Sequence, residues 1–153
     1  MLEKIFQIWN KKILTAVCFS KFEEEPEALT PESRSAIQEK IKFINEHHQE
    51  ILNSASGMAE LAEDWLIQGI EDDAVDLDEL TSVIMEDGTE IAFPVTEKAF
   101  KNSLYLIDVT FDFRKNSEIC KAFLEFGCEP DYFCGHRVHI GIDEENQIIC
   151  EGI

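Results

Sequence analysis

Two different hydrophobic periods within one short chain restrict the fold most. Residues 30–55, TPESRSAIQEKIKFINEHHQEILNSA, repeat apolar side chains every three or four positions, which is the spacing of one face of an α-helix. Residues 104–113, LYLIDVTFDF, instead alternate with the period of a β-strand. The predicted inner face of that strand is formed by Tyr105, Ile107, Val109, Phe111 and Phe113. The sequence therefore predicts that helix and sheet share one core.

The helical stretch begins with clear start signals. Thr30 suits the N-cap position and Pro31 suits the first helical position. The apolar stripe continues past His48, so the spacing predicts one long helix with His48 packed in the core and neighbouring His47 turned to solvent. The same periodicity resumes over residues 58–67 and predicts a further helix.

Four more segments complete the predicted fold. Residues 11–20 favour a strand, residues 80–93 favour a hairpin, and the C-terminal residues favour a second hairpin. SEICKAFLEFG, residues 117–127, is predicted as a helix. Together these elements predict the α+β class: an antiparallel sheet with long helices packed on one face and a terminal β-hairpin, in a single domain over residues 1–153.

The cysteines and the N-terminus indicate a cytoplasmic protein. Five cysteines, an odd number without CxxC spacing, argue against a disulfide framework and suit a reducing compartment. The apolar run from Ile13 to Phe19 is a poor secretory signal, and no window approaches the roughly 18 to 20 apolar residues that span a bilayer. We therefore expect a soluble cytoplasmic chain without disulfides or cofactors.

Acidic residues are concentrated in one part of the chain. The net charge is −19, and fifteen Asp or Glu but no Lys or Arg lie between Lys42 and Lys98. A field of this sign repels nucleic acid and anionic membranes, whereas it accelerates the encounter with a basic protein. The region serves either as a binding face for such a partner or only as a solubilising surface.

The predicted partner-binding carboxylates all lie in this region. They are Glu63, Asp64, Glu71, Asp72, Asp73, Asp76, Asp78 and Glu79. A calcium loop of the EF-hand type does not fit here, because a loop starting at Asp72 would place Ala74 and Leu77 at positions that require an oxygen ligand and a glycine. The acidic run is therefore interpreted as a solvated loop.

The C-terminal cysteines and histidines lack the spacing of a structural zinc site. Strand alternation would also send His136 toward the core and His139 to the other side of the sheet, so we predict no metal site. The alternative is a small hydrolase-like enzyme at the Asp131 to His136 turn. In that case His136 would be the acid/base, Asp131 would orient it, and Cys134 is the candidate nucleophile.

The terminal hairpin has a predicted register. A three-residue loop with Asn146 in the left-handed conformation would pair Asp143 with Gln147. Ile142 would then meet Ile148 and Ile140 would meet Cys150 on the core face, with His139 opposite Glu151 on the other face.

The motif Asp131-Tyr132-Phe133-x-Gly135-His136, followed by Asp143 and by Ile148 to Gly152, resembles the C-terminal end of bacterial domain-of-unknown-function families. Their members have a similar layout, with an N-terminal strand, long helices, a tryptophan near the end of the second helix (here Trp65) and a terminal hairpin. Some members resemble immunity proteins encoded beside bacterial toxins. Together with the acidic stretch, this resemblance favours a non-catalytic cytosolic binding protein, and an immunity-like role would make its basic partner a toxin.

Overall fold

The computed structural model describes residues 1–70 and 76–153. Strands are the commoner element. They are β1 (Leu2–Ile8), β2 (Lys11–Cys18), β3 (Ser82–Ile84), β4 (Glu90–Ala92), β5 (Leu104–Asn116), β6 (Ile119–Cys128), β7 (Val138–Ile142) and β8 (Ile148–Gly152). The helices are α1 (Pro31–Glu46), α2 (His48–Ser54), α3 (Ala59–Gln68) and α4 (Glu97–Ser103). None of the helices in the described part of the chain has the length and apolar character needed to cross a bilayer.

Six strands form one mixed sheet in the order β1-β2-β5-β6-β7-β8. Strands β2 and β5 run parallel, while every other neighbouring pair in this sheet is antiparallel. Parallel neighbours require a crossover connection. Here the crossover carries helices α1 to α4 together with β3 and β4, which pair with each other in a separate small sheet.

The predicted antiparallel sheet covered by long helices is therefore wrong. The sheet is mixed, and the hairpin predicted over residues 80–93 lies outside it. Among the helices of residues 1–70 and 76–153, only α1 is as long as 16 residues. The expected long helix is interrupted at His47, whose φ of −114° and ψ of 29° leave the helical region. The apolar stripe predicted from the sequence is present, but it is divided between helices α1 and α2.

The segment predicted as a helix over residues 117–127 forms strand β6. Cys120, Ala122, Leu124 and Phe126 are buried at every second position, whereas Phe123 between them is half-buried. Apolar residues at 120, 122, 124 and 126 fit a strand, but those at 120, 123 and 124 also fit a helix. Pairing with strands on both sides decides the outcome and overrides the helix-forming Lys and Glu residues.

Strand β5 contains an irregularity that inverts its alternation. Leu106 pairs with Phe126 and Asp108 pairs with Glu125, so Ile107 has no partner of its own. Beyond this bulge the predicted inner face, with Val109 and the following phenylalanines, is correct. Before it the faces exchange, so Leu106 is buried and Tyr105 is exposed.

The helices lie against the inner face of the sheet. This face presents Val109, Phe111, Leu124 and Ile140, which are almost completely buried. Helix α1 packs on β6 and α2 on β8. Burial of large apolar side chains at about 25 cal/mol per Å² is the main force that holds these layers together.

The predicted register of the terminal hairpin is confirmed for its core pairs. Ile142 faces Ile148, Ile140 faces Cys150, and Asn146 has a φ of 63°. The outer pair differs, since a bulge places His139 opposite Gly152 rather than Glu151.

A buried lysine ties α1 to this hairpin. The Lys40 amine donates hydrogen bonds to the Asp143 backbone oxygen and to Asn146 Oδ1, both at 2.6 Å. Burial lowers the pKa of this amine below its ordinary value. The two bonds fix the loop that sets the strand register.

We expect Lys40→Met to lower the free energy of unfolding by about 1 to 3 kcal/mol, because two acceptors lose their donor while the aliphatic stem is retained. Urea unfolding at neutral pH measures the change. Lys42→Met is the matched control, because Lys42 is exposed and its Nζ atom makes only a long surface ion pair, 3.9 Å from Glu46 Oε1. Equal losses in the two variants would contradict the anchoring role.

Tyr105 lies across Gly127 of the neighbouring strand. A Cβ atom at Gly127 would come within 2.4 Å of the Tyr105 ring. Gly127→Ala should therefore displace the ring and destabilise the protein by about 1 kcal/mol. In a Tyr105→Ala background the same substitution should cost much less, which a double-mutant cycle measured by thermal or urea unfolding will test.

Candidate functional site

The turn that carries the predicted catalytic residues is held by its own backbone. Asp131 Oδ1 accepts a hydrogen bond from the Gly135 amide at 3.0 Å, and the His136 amide donates to the Phe133 oxygen at 3.0 Å. Cys134 has a φ of 51°, so this non-glycine residue adopts the left-handed conformation. Asp131, Cys134 and His136 are exposed at the surface. The Asp131 carboxylate thus closes the turn.

Aromatic packing attaches this turn to the helices. Phe133 is fully buried, with ring centroids 5.6 Å from Trp65 and 5.9 Å from Phe100. Trp65 also packs edge-on against the exposed His136, with the two ring centroids 5.3 Å apart. The prediction that His136 faces the core in line with β7 is wrong, because β7 begins only at Val138.

The two buried cysteine thiols of β6 give little reactive chemistry. Burial raises the pKa of the Cys120 thiol to about 12 and that of the Cys128 thiol to about 11, so both remain protonated at neutral pH. Within residues 1–70 and 76–153, no three His, Cys, Asp or Glu side chains are arranged to hold a metal ion. Three clefts are found in the described part of the chain, and none of them has Asp131, Cys134 or His136 among its lining residues.

The predicted partner-binding carboxylates divide into two groups in the structure. Two of them support local structure: Glu63 Oε1 accepts a hydrogen bond from the Val95 amide at 3.1 Å, and Asp76 Oδ1 accepts one from the Asp78 amide at 3.1 Å. The second group comprises Asp64, Asp78 and Glu79, whose side chains are exposed. Glu71, Asp72 and Asp73 lie outside the described residues. We call residues 60–90 the acidic segment.

A charged cluster that sequence reasoning missed lies on the sheet face opposite the helices. The Arg137 guanidinium donates to the carboxylates of both Asp108 and Glu125, and His139 Nδ1 lies 3.7 Å from Glu125 Oε1. Hydrogen bonds from Glu125 first and then Asp108 raise the pKa of Arg137 above its usual range. Predicting β6 as a helix concealed this cluster, since only strand pairing places Glu125 between Asp108 and His139.

Asp112 is buried, whereas Asp108 on the same strand is half-buried. It accepts hydrogen bonds from Arg114 Nε at 2.6 Å and from the Ser20 amide at 3.2 Å. Burial opposes ionisation of this carboxyl, but the bonds from Arg114 and Ser20 outweigh it and leave the pKa lowered. Its role is to join the end of β2 to β5.

The β1–β2 turn forms one side of a cleft of about 590 Å³. Trp9 has a φ of 50°, which is rare for a bulky side chain, and three contacts hold it there. Its amide donates to Asn45 Oδ1 at 2.9 Å, and its indole Nε1 donates to the Ile44 oxygen at 3.0 Å. Its ring packs against His48 with the centroids 4.0 Å apart and the planes tilted by 31°. The cleft is lined by Gln7, Trp9, Asn10, Asn45 and His48, all of them uncharged or neutral when deprotonated.

The expected positions of the two adjacent histidines are reversed. His48 is exposed against Trp9, whereas His47 is half-buried with Nδ1 2.8 Å from the Phe43 oxygen. The helix break at His47 turns the ring of His48 out of the apolar stripe.

Partial burial lowers the pKa of His48 below its ordinary value. The unfolded chain therefore binds the proton more readily, so the stability from neutral His48 is present above about pH 6.5 and declines as the pH falls toward the folded-state pKa. In an NMR titration we expect the His48 imidazole to show a midpoint below about 6.5. A midpoint at or above that value would refute the burial effect.

The sequence pattern of one bacterial family matches residues 3–153, almost the whole chain. The family is described as "Uncharacterized protein conserved in bacteria (DUF2262)". The chain belongs to this family, which confirms the resemblance to a bacterial family of unknown function. No curated protein and no solved structure shows a significant match to the chain.

Proposed function

We propose that this chain is a non-catalytic binding protein of the bacterial cytoplasm that uses its acidic segment to bind a basic protein. An immunity-like role, with a toxin as the partner, is the specific form of this proposal. The observation that carries it is the fifteen Asp or Glu without a Lys or Arg between Lys42 and Lys98. Such a one-sign stretch favours electrostatic attraction of a cationic surface.

The exposed members of the acidic segment support this proposal. Asp64, Asp78 and Glu79 present their carboxylates to solvent, so a partner can reach them without disturbing the hydrogen bonds of Glu63 and Asp76. Charges of this kind increase the association rate and specificity more than they lower the dissociation rate. The affinity should consequently depend strongly on ionic strength.

The alternative, a hydrolase-like enzyme with a site at the Asp131 to His136 turn, stays a prediction. The Asp131 carboxylate bonds the Gly135 amide and so maintains the turn. A hydrolase would need Asp131 to orient His136, whereas binding by the acidic segment needs only exposed carboxylates. We therefore prefer the binding function.

The proposal can be tested with the product of a neighbouring bacterial gene that encodes a basic protein. Combining Asp64→Asn, Asp78→Asn and Glu79→Gln should weaken its binding at least about tenfold, mainly by slowing association. Surface plasmon resonance at about 50 mM and about 300 mM salt measures both rates, and the wild-type affinity should fall with salt.

A second triple variant separates a specific surface from net charge alone. Glu24→Gln, Glu118→Gln and Glu145→Gln change the net charge by the same amount at exposed positions outside the acidic segment. We expect this control to reduce affinity by less than about threefold. Equal losses in both triple variants, or no binding by the wild-type chain, would contradict the proposal.

A further inference from the structure

One face of the six-stranded sheet is left uncovered by the described helices. We call it the open face; it carries the side chains that alternate with the buried core positions. Its apolar members include Ile5, Leu14, Tyr105 and Ile149, which are 67%, 56%, 43% and 51% exposed. Solvent exposure of so many large apolar side chains on one sheet face is characteristic of an interaction surface.

These side chains are neighbours because of the strand registers. Ile5 pairs directly with Leu14 across β1 and β2. A second row crosses the sheet from Ala16 through Thr110, Phe123 and Gly141 to Ile149. The Glu151 carboxylate lies over Gly141 in this row, and the Arg114 guanidinium lies 5.7 Å from the centre of the Phe123 ring. The open face thus combines apolar side chains with a few paired charges.

The charge on this face differs from that of the whole chain. Strand register places Lys12 and Lys121 there, and contacts with Phe123, Asp108 and Glu125 place Arg114 and Arg137 on the same face. Five acidic residues share the face, namely Glu3, Asp108, Asp112, Glu125 and Glu151. The open face is therefore close to neutral on a chain with a net charge of −19.

We propose that the open face is the interface of a homodimer, in which two copies of this chain pack sheet against sheet. Two chains that each carry a charge of −19 repel one another wherever their acidic surfaces approach. A near-neutral face with both signs of charge avoids most of this repulsion, and under two-fold symmetry it can place its Arg and Lys opposite Asp and Glu. A strongly basic partner would instead be attracted most strongly to the acidic segment.

The size of the open face sets the expected strength of the dimer. Six strands spaced by about 4.8 Å and about five residues long give a face of roughly 29 by 17 Å. Two such faces would bury on the order of 1,000 Å², which is near the lower limit for specific association. The dimer should therefore be reversible, with a dissociation constant between about 1 μM and about 1 mM.

The interface leaves the acidic segment outside the contact, so this inference is independent of the proposed function. Exposed Asp64, Asp78 and Glu79 belong to the crossover between β2 and β5 and not to the strands of the open face. A dimer would present two copies of the acidic segment to a multivalent partner.

Sedimentation velocity of the full chain from about 10 μM to about 1 mM, at about 150 mM salt, tests the dimer directly. We expect a concentration-dependent increase in sedimentation coefficient. Leu14→Asp should raise the dissociation constant at least about tenfold, because it buries a carboxylate in the contact. Ile149→Asp provides a second variant on a different strand, should the first one disturb folding as judged by circular dichroism.

Ile84→Asp is the matched control, since Ile84 is 70% exposed on β3, outside the main sheet. Its dimerisation should equal that of the wild type. The proposal is overturned if the wild-type chain stays monomeric over the whole range. It is equally overturned if folded Leu14→Asp and Ile149→Asp variants dimerise as well as the wild type, or if Ile84→Asp weakens the dimer as much as they do.

Discussion

Strand β5 pairs with one neighbour in parallel and with the other in antiparallel orientation, and the remaining architecture depends on this difference. It runs parallel to β2 and antiparallel to β6. A parallel pair cannot be closed by a tight turn, so the chain must travel from one end of the sheet to the other between β2 and β5. That connection contains α1 to α4 and the acidic segment. Helical cover and acidic charge therefore come from the same part of the chain.

This arrangement explains which parts of the fold could be predicted from the sequence. The β5 alternation beyond its bulge, the start of α1 at Thr30 and the core pairs of the terminal hairpin depend on local patterns, and they are correct. The parallel pairing depends on contacts between residues far apart in the chain, for which no local pattern exists. Strand β6 was mistaken for a helix because its apolar residues fit both periods.

The candidate sites show the same division. The turn from Asp131 to His136 is recognisable from its local motif, but the side-chain directions depend on where β7 begins, two residues after His136. The cluster of Arg137 with Asp108 and Glu125 joins three separate strands, so it becomes visible only when β6 is recognised as a strand. The Trp9 cleft likewise needs the helix break at His47, which propensities did not indicate.

Each of the two tryptophans has an imidazole against its ring. The Trp9 and His48 centroids are 4.0 Å apart, and those of Trp65 and His136 are 5.3 Å apart. A protonated imidazole quenches indole emission, so the Trp9 fluorescence of the native protein reports the charge of His48 as well as the conformation of the chain. Acid-induced dimming would thus occur in a folded chain. Replacing one indole with phenylalanine would leave a spectroscopic probe for the other end of the molecule.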